Sequence, residues 1–145
     1  MTLTGKLLCA AAIAAAGAVF AAEATNPAAK ARQELMDGIA KNVELLAGMG
    51  KGKVAFDAGQ AEAAKAAIVA GAGKIPEAFK ANETDPKSRA KPEIWANWSS
   101  FEAKAAKLGE AAGGLDVSTA GSIKGAMDGL GKVCGGCHQD FKAQG

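Results

Sequence analysis

Near its C-terminus the chain reads Cys134-Gly135-Gly136-Cys137-His138, five positions that hold two of its three cysteines and its only histidine. On a helix, residues three and four apart share a face about one turn apart, so a single flat ligand can meet both thiols and the imidazole. Two thiols that add to the vinyl groups of a porphyrin, beside an imidazole that binds its iron, form the attachment pattern of a c-type haem. The two glycines put no bulk between the thiols, at some cost in helix propensity.

Other uses of these residues fit less well. A thioredoxin-like dithiol wants its cysteine pair at the start of a helix that follows a strand, whereas this pair lies late in a helix of a chain without strand patterns. A structural zinc ion needs four ligands, and no second cysteine or histidine pair is present. A disulfide from i to i+3 within one helix would strain its bridge.

The start of the chain bears on these thiols. Lys6 precedes an apolar run from Leu7 to Phe20, followed by small residues and then Glu23. That is the layout of a secretory signal peptide, and the run is too short to span a bilayer. We expect residues 1–21 to be a signal peptide cleaved after Ala21, with cleavage after Ala24 as the alternative, and residues 22–145 to form one domain. Cys9 lies inside the apolar run, behind Lys6, Leu7 and Leu8, so it does not read as a lipid-attachment site. Export to a periplasm would oxidise free thiols unless something occupied them.

Charge says little about partners: 17 basic side chains stand against 15 acidic ones. No basic block with interleaved aromatics suggests nucleic-acid binding. Composition is more informative, because abundant alanine, few aromatics and no tyrosine favour helix over strand.

Apolar spacing predicts four helices. The first spans about 27–49, with Leu35, Met36, Ile39, Val43 and Leu46 on one stripe. The second starts at Asp57, a cap with Gln60 reaching back, and carries Ala64, Ile68, Ile75 and Phe79; Gly71, Gly73 and Pro76 predict a bend or early end. A polar loop over 80–91 follows. The third opens at Pro92 and runs through Trp95, Trp98, Phe101, Ala105 and Leu108 without interruption. The fourth begins near Ser118 and lines up Ile123, Met127, Leu130, Cys134, Cys137 and Phe141. The economical packing is all-α, an up-down-up-down four-helix bundle with the haem attached to the C-terminal helix.

A haem motif on the last helix of an exported bundle resembles the class II c-type cytochromes, the group of cytochrome c prime and its low-spin relatives. The stretches Arg32 to Met36 and Lys91 to Trp95 resemble that family's first-helix and third-helix signatures. The resemblance implies one covalently attached haem c and one-electron transfer by Fe(III)/Fe(II) cycling, without enzymatic turnover. It also implies a division. In low-spin members a first-helix methionine is the sixth ligand, and Met36 stands at the matching position opposite His138. In five-coordinate members an apolar side chain crowds an open face that binds NO or CO.

Elimination points the same way without closing the question. Only seven residues follow His138, so no downstream methionine exists. Met127 sits about 16 Å earlier on the same helix and would have to reach around the porphyrin. Met49 lies at the glycine-rich end of the first helix. The alternative role for Met36 is core packing.

By the same resemblance, Arg32 and Gln33 lie beside the haem, where a guanidinium can pair with a propionate; spacing alone allows a solvated face equally well. Glu93, Ile94 and Trp95 are expected near the pocket, with packing as the main duty of the tryptophan. Lys124, Lys132 and Lys142 flank the haem helix and would offer positive charge to a redox partner protein. The protein acts as a monomer or homodimer on this reading. A peroxidase-like enzyme would want a distal acid–base group, and there is no second histidine.

Overall fold

The computed structural model describes residues 24–144, so the expected signal peptide lies outside the described residues. Five helices follow in order: α1 (Pro27–Gly50), α2 (Ala58–Phe79), α3 (Glu93–Ala96), α4 (Trp98–Gly113) and α5 (Ala120–Phe141). The four long ones pack as a closed ring in which α1 meets α2 and α5, and α4 meets α2 and α5. The backbones of the diagonal pairs stay apart, which is the arrangement of a four-helix bundle.

Three of the four long helices, α1, α2 and α5, start where a side chain takes up a free amide; α4 has no such side-chain cap. Asn26, Asp57 and Thr119 accept from the backbone N–H groups of Ala29, Gln60 and Ser122. The turn after α1 is closed by Gly52, whose φ of 68° is a left-handed conformation open to glycine. Along the bundle axis Leu46, Met49, Ile68, Ile94, Ile123 and Leu130 are fully buried. At one end Phe101 collects three rings: Phe79 at 5.1 Å, Trp98 at 5.5 Å and Phe141 edge-on at 5.3 Å.

Two expectations need correction. Pro76 neither ends nor shortens α2, which continues to Phe79. The buried side chains of Ile75 and Phe79 lie on either side of it, and their packing outweighs the hydrogen bond that proline cannot donate. The third predicted helix is divided, because Asn97 leaves helical geometry at φ −126°, ψ 48°. Just before the break, the Trp95 indole N–H donates to the Phe79 carbonyl at 2.8 Å. Thus α3 is one turn with Ile94 buried, and α4 begins afresh at Trp98.

A close contact at Gly50 marks the register of α1 on α5. A Cβ built on Gly50 would lie 3.0 Å from the backbone nitrogen of Lys124 and 3.2 Å from the Ile123 side chain. The C-terminal end of α1 therefore packs on the N-terminal end of α5, and the helices run antiparallel. Near the other end of α5 the chain pairs with the α2–α3 loop: Ala90 bridges Lys142, Lys91 N–H donates to the Phe141 carbonyl at 3.0 Å, and Ala143 N–H donates to the Arg89 carbonyl at 2.8 Å.

That loop is also tied to the start of α1. Asp85 is buried and accepts from the backbone N–H groups of Thr25, Asn26 and Lys87 and from the Thr25 hydroxyl. The amides of Asn26 and Lys87 contribute most to lowering its pKa to about 2. A carboxylate held below its unfolded value of ~3.9 stabilises the fold above that value and loses the contribution as pH falls through the folded one. We predict that Asp85→Asn lowers the melting temperature at pH 7, and that the gap between variant and wild type closes as pH falls from about 4 to about 2. A gap that stays constant over that range would remove the charge from the account.

Candidate haem site

Cys134 and Cys137 lie one turn apart on α5, both partly buried against the core and not joined to each other. Burial pushes both thiols up from their ordinary pKa, so they stay protonated at neutral pH. Between them, Gly135 and Gly136 face open space, with no neighbouring atom within 4 Å of where a side chain would begin. His138 follows at the surface beside a cleft of about 230 Å³ lined by Arg89, His138, Gln139 and Lys142 among others. The protein around the imidazole lowers its pKa first, and the cations of Lys142 and Arg89 lower it further. A neutral imidazole is the form that ligates iron.

The opposite wall comes from α1. Met36 lies fourteen residues before Gly50, and His138 lies fourteen after Lys124. At 1.5 Å per residue both stand about 21 Å from the Gly50–Lys124 contact, so the antiparallel register carries them to the same level of the bundle. Independent evidence comes from the neighbouring residue, since the Asp37 carboxylate acts on the Lys142 ammonium, one turn beyond His138. Met36 is partly buried and packed on the core, whereas Met49 is 1% exposed, deep in the core.

Unjoined thiols one turn apart, a neutral imidazole next to the second, open space at the glycines and a thioether at the same level form a donor set that fits a covalently bound haem. Among the described residues no three His, Cys, Asp or Glu side chains cluster as a bare metal ion would require.

The residues expected beside the haem are differently engaged. Arg32 is not on a solvated face; it is 2% exposed. Its guanidinium donates to the carbonyls of Ala78 at 3.1 Å, of Glu83 at 2.8 Å and of Ala81, and it lies about 5 Å from the ring centroids of Phe79 and Trp95. Gln33 accepts from Ala24 N–H at 2.9 Å and donates to the Lys87 carbonyl at 3.2 Å. Both side chains hold the α2–α3 loop in place, and Gln33 also ties down Ala24, just ahead of α1. Glu93 is exposed in the single turn of α3. Arg89, which stands beside His138, gave no local signal, because its loop reads only as a polar spacer and its position depends on pairing with residues 141–143.

Two thiols and an imidazole on the last helix of an antiparallel four-helix bundle define a c-type haem protein of the bundle class. Residues 27–142 match the family model described as Cytochrome C'. The chain is 37% identical over 131 residues to cytochrome c-556 of Agrobacterium fabrum strain C58, covering 88% of this chain and 86% of that protein. Among structures, it is similar to cytochrome c' from Rhodopseudomonas palustris, with a TM-score of 0.74 and 28% identity over 83% of this chain and 98% of that one. It is equally similar to the NMR-validated structural model of oxidised cytochrome c556 from R. palustris, with a TM-score of 0.74 and 26% identity over 82% and 98%. The chain belongs to the cytochrome c prime family, the class II c-type cytochromes, and is a monohaem electron carrier with one covalently attached haem c.

The buried arginine yields a prediction. Arg32→Ala should destabilise the protein by about 3 kcal/mol in guanidinium denaturation, because it strands buried carbonyls. Arg32→Lys should recover only part of that, since one ammonium cannot reproduce the planar fork. An alanine variant as stable as wild type would mean that the guanidinium does not carry the loop.

Proposed function

We propose that this cytochrome is exported to the periplasm and shuttles single electrons between redox proteins, with Cys134 and Cys137 bonded to the haem and His138 and Met36 as axial ligands. The observation that carries this reading is the antiparallel register of α1 on α5, which brings a methionine thioether and the only imidazole to one level. When bound, the haem supplies one-electron cycling of its iron between ferric and ferrous states.

The chain's own residues do the rest. Two thioether bonds would hold the porphyrin on α5, and His138 would enter neutral, without a proton to displace. Met36 would close the far face against small ligands, and methionine opposite histidine raises a haem potential. Arg89 and Lys142 beside His138 disfavour added positive charge, which also favours the ferrous state. Cleavage after Ala21 is the better choice for the leader, since it leaves Ala24 in the mature chain to donate to Gln33.

A second reading, with an open face for NO or CO, has one observation in its favour: Met36 already packs on the core, a sufficient role for a methionine. Substitution separates the two. Met36→Ala should open the iron to carbon monoxide and convert a low-spin spectrum to a high-spin one, while unchanged spectra and gas binding would remove the ligand role. The double variant Cys134→Ser, Cys137→Ser should lose its haem to acid–acetone extraction; haem that stays with the protein would refute the attachment.

A further inference from the structure

A second cleft, of about 140 Å³, lies where α4 meets α5. It is lined by Lys104, Lys107, Lys132, Val133, Gly136 and Cys137, with no carboxylate in its walls. The three lysines differ in what holds them. Lys104 is fixed, donating to the Gly136 carbonyl at 2.9 Å and pairing with Asp140 at 2.9 Å. That ion pair neutralises the Asp140 carboxylate. Lys107 and Lys132 are exposed, and neither is in an ion pair with a described residue; Glu110 and Asp128, one helical turn away on their own helices, do not engage them. Two uncompensated charges therefore project from opposite walls, one from α4 and one from α5.

We propose that this basic cleft is the docking face for a redox protein that presents carboxylates around its own centre. The inference rests on the haem reading above and adds the partner's chemistry and the side of approach. Electron transfer falls off steeply with distance, so a partner must meet the protein close to the porphyrin. A thioether at Cys137 would tie the porphyrin to the wall of this cleft. Lysines on both flanks then steer an acidic surface to that wall and hold it in a brief, salt-sensitive encounter. Between them lie Val133, Gly136 and the mutually neutralised Lys104–Asp140 pair, so the middle carries no net charge.

The test compares holoprotein carrying Lys107→Glu and Lys132→Glu with a control carrying Lys51→Glu and Lys53→Glu. The control makes the same change in net charge at the far end of the bundle, beyond the Gly50–Lys124 contact. The first readout is reduction by iron(II)-EDTA, an anion that gives one electron to the ferric haem and is itself oxidised to iron(III). At low ionic strength the cleft variant should react about tenfold more slowly than the control, and the difference should vanish at high salt. The second readout is calorimetry with polyglutamate, which should bind wild type and control but not the cleft variant.

Equal slowing of both variants, or polyglutamate binding that survives at the cleft variant, would overturn the proposal. So would binding to phosphatidylglycerol vesicles without binding to polyglutamate, which would give this face to a membrane. Failure of the haem reading shows separately, as wild-type protein without covalent haem, before any rate is compared.

Discussion

Where Gly50 meets α5 a side chain would be crowded against the Lys124 backbone, and the alignment of the whole site depends on that contact. A Cβ at this position would lie 3.0 and 3.1 Å from the Lys124 backbone and 3.2 Å from the Ile123 side chain, so a larger residue would press the two helices apart by a few tenths of an ångström. The contact fixes how far α1 is slid along α5. A slip of one turn, about 5.4 Å, would take Met36 out of level with His138 while leaving the apolar stripes in contact. The glycine thus governs geometry about 21 Å away, at the other end of a pair of rigid helices.

At that other end the polar residues serve mainly to hold a loop. Arg32 caps the carbonyls of residues 78, 81 and 83, Asp85 gathers the amides at the start of α1, and Gln33 reaches Lys87. The loop so fastened then pairs with residues 141–143 and sets Arg89 beside His138. Backbone groups that no helix could satisfy are satisfied by three side chains, and the electrostatic surroundings of the imidazole follow from where the loop is pinned. Burying the guanidinium costs solvation and lowers its pKa, with Glu83 opposing the shift; its carbonyl partners and two aromatic rings offset that cost.

Much of this was legible in the sequence wherever the signal was local. The stripe from Leu35 to Leu46, the cap at Asp57, the polar loop over 80–91 and the five residues of the haem motif each act through neighbours within a turn or two. What escaped depends on distant partners. Pro76 reads as a helix breaker until Ile75 and Phe79 are seen to be packed on both sides of it. Asn97 carries no breaking signal, and the turn there accompanies a bond from Trp95 to Phe79. From spacing alone Arg32 reads equally well as a residue of a solvated face, because its carbonyl partners lie 46 to 51 positions away. Met36 was legible as a candidate, and the register argument came only with Gly50 and Lys124 in contact.

The optical spectrum of the purified haem protein, oxidised and reduced, before and after carbon monoxide, tests the central claim most directly. Ligation by Met36 and His138 predicts a low-spin spectrum with a near-infrared methionine-sulfur charge-transfer band, unchanged by the gas. A high-spin spectrum that shifts with carbon monoxide would contradict it, leaving His138 as the sole protein ligand and Met36 as part of the core.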